Sequence, residues 1–110
     1  MADRDGNTPL IMAAQFGFAE ALRLLVSRSA SVDLANKAQE TALLLASQEG
    51  FSEVVTILLE NGSKAVNKAA ADGRTALIVA ARFGYAEVCS LLLDHGADRN
   101  ARVSGACYIR

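Results

Sequence analysis

The sequence is short of the residues that catalysis and metal binding draw on, with one histidine and two cysteines among 110 residues. No nucleophile stands beside a base, no acids pair at catalytic spacing, and no glycine-rich phosphate loop or metal-ligand cluster occurs. The chain is therefore not expected to be an enzyme, and no cofactor or metal is expected. The histidine, His95, sits in the turn-like stretch "DHGAD" and reads as a solvent-exposed turn residue. No apolar run reaches the roughly 18 residues of a membrane span, which excludes insertion by a single helix. No charge of one sign dominates either, since 11 Lys and Arg face 12 Asp and Glu, so no electrostatic feature points to nucleic acid or an anionic membrane.

An apolar leader is missing as well, because Met1 is followed by Asp3, Arg4 and Asp5. Together with the scarcity of cysteine, this points to a reducing, intracellular location, the cytoplasm, and away from a disulfide. At 52% hydrophobic and 21% charged the chain is too apolar for disorder, and its length suits one domain that buries about two-thirds of its unfolded surface.

What the sequence does contain is repetition. "AARFGYAE", residues 80–87, returns as "AAQFGFAE", residues 13–20. Thr8, Thr41 and Thr75 are equivalents at steps of 33 and 34 residues, and Gly17, Gly50 and Gly84 keep the same steps. The one extra residue falls in "NGSKAVN", residues 61–67, and is expected in a loop, where an insertion does not rotate a helix face. Within each unit, Leu10, Ala13 and Ala14, then Leu43, Ala46 and Ser47, then Leu77, Ala80 and Ala81 fall at steps of three and four, on one face of a short helix. A second helix carries larger groups at the same spacing: Leu22, Leu25 and Val26; Val55, Leu58 and Leu59; Cys89, Leu92 and Leu93. Each threonine is placed to cap the first helix, and Pro9 is preset for its first turn. Each glycine marks where that helix stops, in the left-handed conformation glycine adopts without steric cost. Glu20, Glu53 and Glu87 suit the first turn of the second helix. Cys89 takes the place of Leu22 and Val55 and reads as a small buried apolar group, which leaves Cys107 as the plausible redox or labelling site.

"DGNTPLIMAAQFGFAEALRLLV" and "DGRTALIVAARFGYAEVCSLLLDHGADRN" resemble the ankyrin repeat. The resemblance frames one domain over 1–110, with units 3–35, 36–69 and 70–102 and a partial fourth unit or tail at 103–110. It departs from the family pattern at Ile11, Leu44 and Ile78, which stand where a histidine is usual, so apolar contact between neighbouring units is expected instead of the usual hydrogen bonds. Proline persists only as Pro9, and the glycine ending the second helix is replaced once, by Ser29.

The resemblance implies an all-α solenoid of stacked antiparallel helix pairs, joined by short β-hairpin fingers, that binds another protein on its concave side. The family's contact positions fall here on Arg4, Asp5, Asn7, Gln15 and Phe16; on Lys37, Ala38, Glu40, Gln48 and Glu49; and on Ala71, Asp72, Arg74, Arg82 and Phe83. Phe16 and Phe83 are the expected aromatic anchors, with Glu49 between them in an aromatic, acid, aromatic order; alternatively each ring packs on its neighbouring turn. Two other roles fit the same pattern: a spacer or regulatory piece of a longer array, and an inhibitor that masks a partner's site. Leu91, Leu92 and Leu93 keep the third unit apolar, where a terminal unit needs a polar outer face. Self-association through exposed repeat ends is therefore expected, unless a further unit or a partner covers them.

Overall fold

The computed structural model describes residues 4–28 and 30–100. Ser29 and the 103–110 segment, with Cys107, lie outside the described residues. Six helices follow in order: α1 (Pro9–Gln15), α2 (Ala19–Ser27), α3 (Ala42–Glu49), α4 (Ser52–Glu60), α5 (Ala76–Arg82) and α6 (Ala86–Asp94). They form three antiparallel pairs, all-α as the sequence implies.

The ends of the first helices follow from the residues that flank them. The hydroxyls of Thr8, Thr41 and Thr75 accept from the backbone N–H groups of Ile11, Leu44 and Ile78 at 3.2, 3.2 and 3.3 Å. Each bond satisfies one amide that the helix itself leaves unpaired. At the other end Gly50 turns left-handed with φ of 78°, and the Phe51 N–H reaches back to the Ala46 carbonyl at 3.0 Å. This closes α3 and aims the chain back along α4. The extra residue of 61–67 lies beyond α4 in a loop whose Ala65 and Val66 tuck into the core.

The stack has two rows. The first helices α1, α3 and α5 pack on one another, and so do α2, α4 and α6, but the inner row is packed more densely. Ala13, Ala14, Ala46 and Ala80 are buried in that row, and their small side chains let backbones approach. The outer row keeps the larger Leu22, Val55, Leu58 and Leu92 buried, and its helices stand further apart. Ile11 and Leu44 are buried where a polar side chain is usual in the family, so apolar contact joins one pair to the next. Ser47 is fully buried among these alanines, and its hydroxyl has no hydrogen-bond partner among the described residues.

The fingers are tighter than the expected β-hairpins. Among the described residues β pairing is confined to one antiparallel bridge, Ala35 to Thr41. The loops close through turn bonds instead, Asn36 N–H to Glu40 C=O at 3.0 Å and Ala70 N–H to Arg74 C=O at 2.9 Å. Successive fingers are tied by backbone bonds, Lys37 N–H to Asp5 C=O at 2.9 Å and Ala71 N–H to Ala38 C=O at 3.0 Å.

Candidate functional site

The finger tips and the inner helices together present the residues expected to meet a partner. Between the first and second fingers lies an open groove of about 470 Å³, lined by Asp5, Asn7, Gln15, Lys37, Ala38 and Glu40 with Asn36 at its floor. Six expected positions, from two units, thus meet in one depression. Arg4, Glu49, Ala71 and Arg82 are exposed.

Asn36 organises this groove and was not among the expected positions. It is buried, and its carbonyl oxygen accepts from the Ala38 and Glu40 N–H groups at 3.0 and 2.9 Å. Its amide donates to Asn7 Oδ1 and to Glu40 Oε1, both at 2.9 Å. A side chain that bonds two residues ahead is the usual way asparagine shapes a turn, and that local pattern was available in "NKAQET".

Between the second and third fingers the equivalent space is filled by Arg74. Its guanidinium donates to Gln48 Oε1 at 2.6 Å, to Glu40 Oε2 at 2.7 Å, and through Nε to Asp72 Oδ2 at 2.7 Å. Only 16% of the Arg74 side chain is exposed. Burial works against its charge, yet the bonds to Asp72 and Glu40 outweigh that and raise its pKa. The Asp72 carboxyl is held below its usual range, chiefly by the hydrogen bond from Arg74. Arg74, Glu40, Gln48 and Asp72 therefore bond to one another and shape the surface.

The two phenylalanines stand at the far end of the inner helices. Phe16 is 54% and Phe83 51% exposed, and each ring lies 6.1 Å, centre to centre, from an aromatic two residues on, Phe18 and Tyr85 respectively. Each ring thus packs on its own turn and still presents about half its surface. Glu49 stands exposed at the same place in α3.

His95 caps α6, exposed, with Nδ1 3.0 Å from the Leu91 carbonyl oxygen. Cys89 is half-buried, whereas the equivalent Leu22 and Val55 are fully buried, because among the described residues no further helix pair lies against the face that carries it. Among the described residues no cluster of His, Cys, Asp or Glu is placed to hold a metal, and no helix is long and apolar enough to cross a membrane.

No curated protein matches the chain. Among protein families, the description "Ankyrin repeats (3 copies)" matches residues 1–69 and 29–103. The capped helix pairs, left-handed glycines and finger-to-finger bonds are the physical content of that match, and the chain belongs to the ankyrin-repeat family.

Proposed function

We propose that the protein is an interaction module that holds another protein across its inner helices and fingers, in three units over 3–35, 36–69 and 70–102. Members of this family generally serve as protein-binding modules. The observation that carries the reading to this surface is the pair of half-exposed rings, Phe16 and Phe83, flanking the acidic Glu49 on a row of rigid helices. Aromatic side chains lose little conformational freedom on burial, which makes them effective anchors. Arg82 beside Phe83 and Lys37 at the groove supply charge at the rim. The Arg74 cluster contributes by holding the second and third fingers in place.

Binding is tested by calorimetry against a partner first captured by crosslinking from the native cell. Phe16→Ala and Phe83→Ala are each expected to weaken binding by about 2 kcal/mol, on the order of thirtyfold, while leaving thermal melts close to wild type. Full-strength binding by the double variant would move the site to the finger tips or the outer helices. A spacer would give no reproducible crosslinks on this strip.

A further inference from the structure

The three helix pairs bury equivalent faces against one another, and the pattern shows what each face accepts. The Phe51 ring lies over Gly17, 3.0 Å from where a Cβ would stand, and the Tyr85 ring lies over Gly50 at 2.8 Å. Gly84 is the third member of that set, and among the described residues nothing lies within 4 Å of the equivalent point. The aromatic that corresponds to Phe51 and Tyr85 in the first unit is Phe18, which is 60% exposed. Leu24 is 57% exposed, while its equivalent Ile57 is buried against the preceding pair. Met12 is likewise exposed, where Leu45 and Val79 are buried. On the opposite end, Leu77, Ile78, Ala81, Cys89 and Leu93, with the charged Asp98 and Arg99, line an open, mainly apolar depression of about 440 Å³. Their equivalents on the inner helices of the other two units, Leu10, Ile11, Ala14, Leu43, Leu44 and Ser47, are all buried.

We infer that two copies of this chain stack head to tail, the Phe18 face of one on the Gly84 face of the other, repeating the contact the protein already makes twice within itself. The internal contacts set the register. Phe18 of the second copy covers Gly84 as Phe51 covers Gly17, and Leu24 and Met12 meet the depression between Ile78 and Leu93. The fingers continue the same ladder, so that the Arg4 N–H of the second copy donates to the Asp72 carbonyl as Lys37 donates to Asp5 and Ala71 to Ala38. Among the described residues each copy presents one face of each kind. The contact is therefore heterologous, and mass grows with concentration without a fixed end point.

Light scattering on size-exclusion fractions of the 110-residue chain, from micromolar to millimolar concentration, reads this directly. Wild type is expected to rise steadily in mass. Phe18→Glu blocks one face and Leu93→Glu the other, so each variant alone is expected to stay monomeric, and an equimolar mixture to form a dimer and nothing larger. Both side chains are substantially exposed, and circular dichroism checks that each variant is folded; Leu24→Glu replaces Phe18→Glu if the latter does not fold. A wild type that stays monomeric throughout overturns the inference. So does a mixture that fails to pair, or a dimer that survives in either variant alone, which would indicate a two-fold contact or another surface.

Discussion

The two junctions of this protein solve one problem with different side chains. Between the first and second fingers, a buried asparagine ties the turn and leaves an open groove. Between the second and third, an arginine fills the equivalent space and binds two carboxylates and an amide. Ala70 stands where Asn36 stands one unit earlier, and Glu40 stands where Arg74 stands one unit later. The backbone bonds between fingers are alike at both junctions. The stack thus depends on the apolar faces and backbone register, while the polar side chains on the finger side differ from one unit to the next.

The largest effect that would test the shared part of this scheme is at the glycines. Gly50→Val is expected to cost more than about 2 kcal/mol, because a β-branched residue resists positive φ and its Cβ would stand 2.8 Å from the Tyr85 ring. Gly84→Val meets the same φ but no neighbour among the described residues, and should cost only about 1 kcal/mol. Thermal melts decide; equal losses would mean that the Tyr85 ring moves aside freely and that packing over the glycine contributes nothing.

Next in size are the polar closures. Asn36→Ala and Arg74→Met each remove donors from partly buried acceptors and should each cost about 1–3 kcal/mol. Glu40 accepts from both, through Oε1 from Asn36 and Oε2 from Arg74, so the two losses should not add, with a coupling of about 0.5 kcal/mol or more. Strict additivity in denaturant titrations would show that the junctions are independent.

How far these features were legible in the sequence follows from their range. The caps at Thr8, Thr41 and Thr75 and the stops at Gly17, Gly50 and Gly84 are local, so the period exposes them. The Arg74 cluster is not local: Glu40 and Gln48 lie 34 and 26 residues away, and only stacking brings them to the guanidinium. Cys89 misleads for a related reason, since its alignment with Leu22 and Val55 describes a face but not whether anything covers it. The rings of Phe16 and Phe83 are ambiguous because a residue at a helix end can pack and protrude together.

A smaller effect distinguishes the arginine junction by acid. The folded-state pKa of Asp72 lies below its usual value of 3.8, so its pairing stabilises the protein above that value and is lost as pH falls through the lower folded value. Asp72→Asn should remove that part of the loss of stability below about pH 4 while leaving the melt at pH 7 only slightly lowered, because the carboxylate is 45% exposed and well screened. Melts across pH 3 to 7 compare the two proteins. An acid slope unchanged by the substitution would place the titration on other carboxylates.

The smallest expected effect concerns the one finger tip that lacks glycine. Gly6 and Gly73 take positive φ at equivalent positions, 83° and 90°, and Gln39 holds the same place at φ of 64°. A residue with a Cβ meets the carbonyl that follows it in this region, at a cost of roughly 1 kcal/mol or more. Gln39 is exposed, and among the described residues its side chain makes a long contact of 3.5 Å, from Lys68 Nζ. Gln39→Gly relieves the strain and loses little, although the glycine adds freedom to the unfolded chain and offsets part of the gain. A net stabilisation of about 0.5 kcal/mol is expected, read as a small rise in melting temperature with binding unaltered. A fall in melting temperature would mean that the entropy of the unfolded chain outweighs the strain, and that the second finger holds its turn through Asn36 alone.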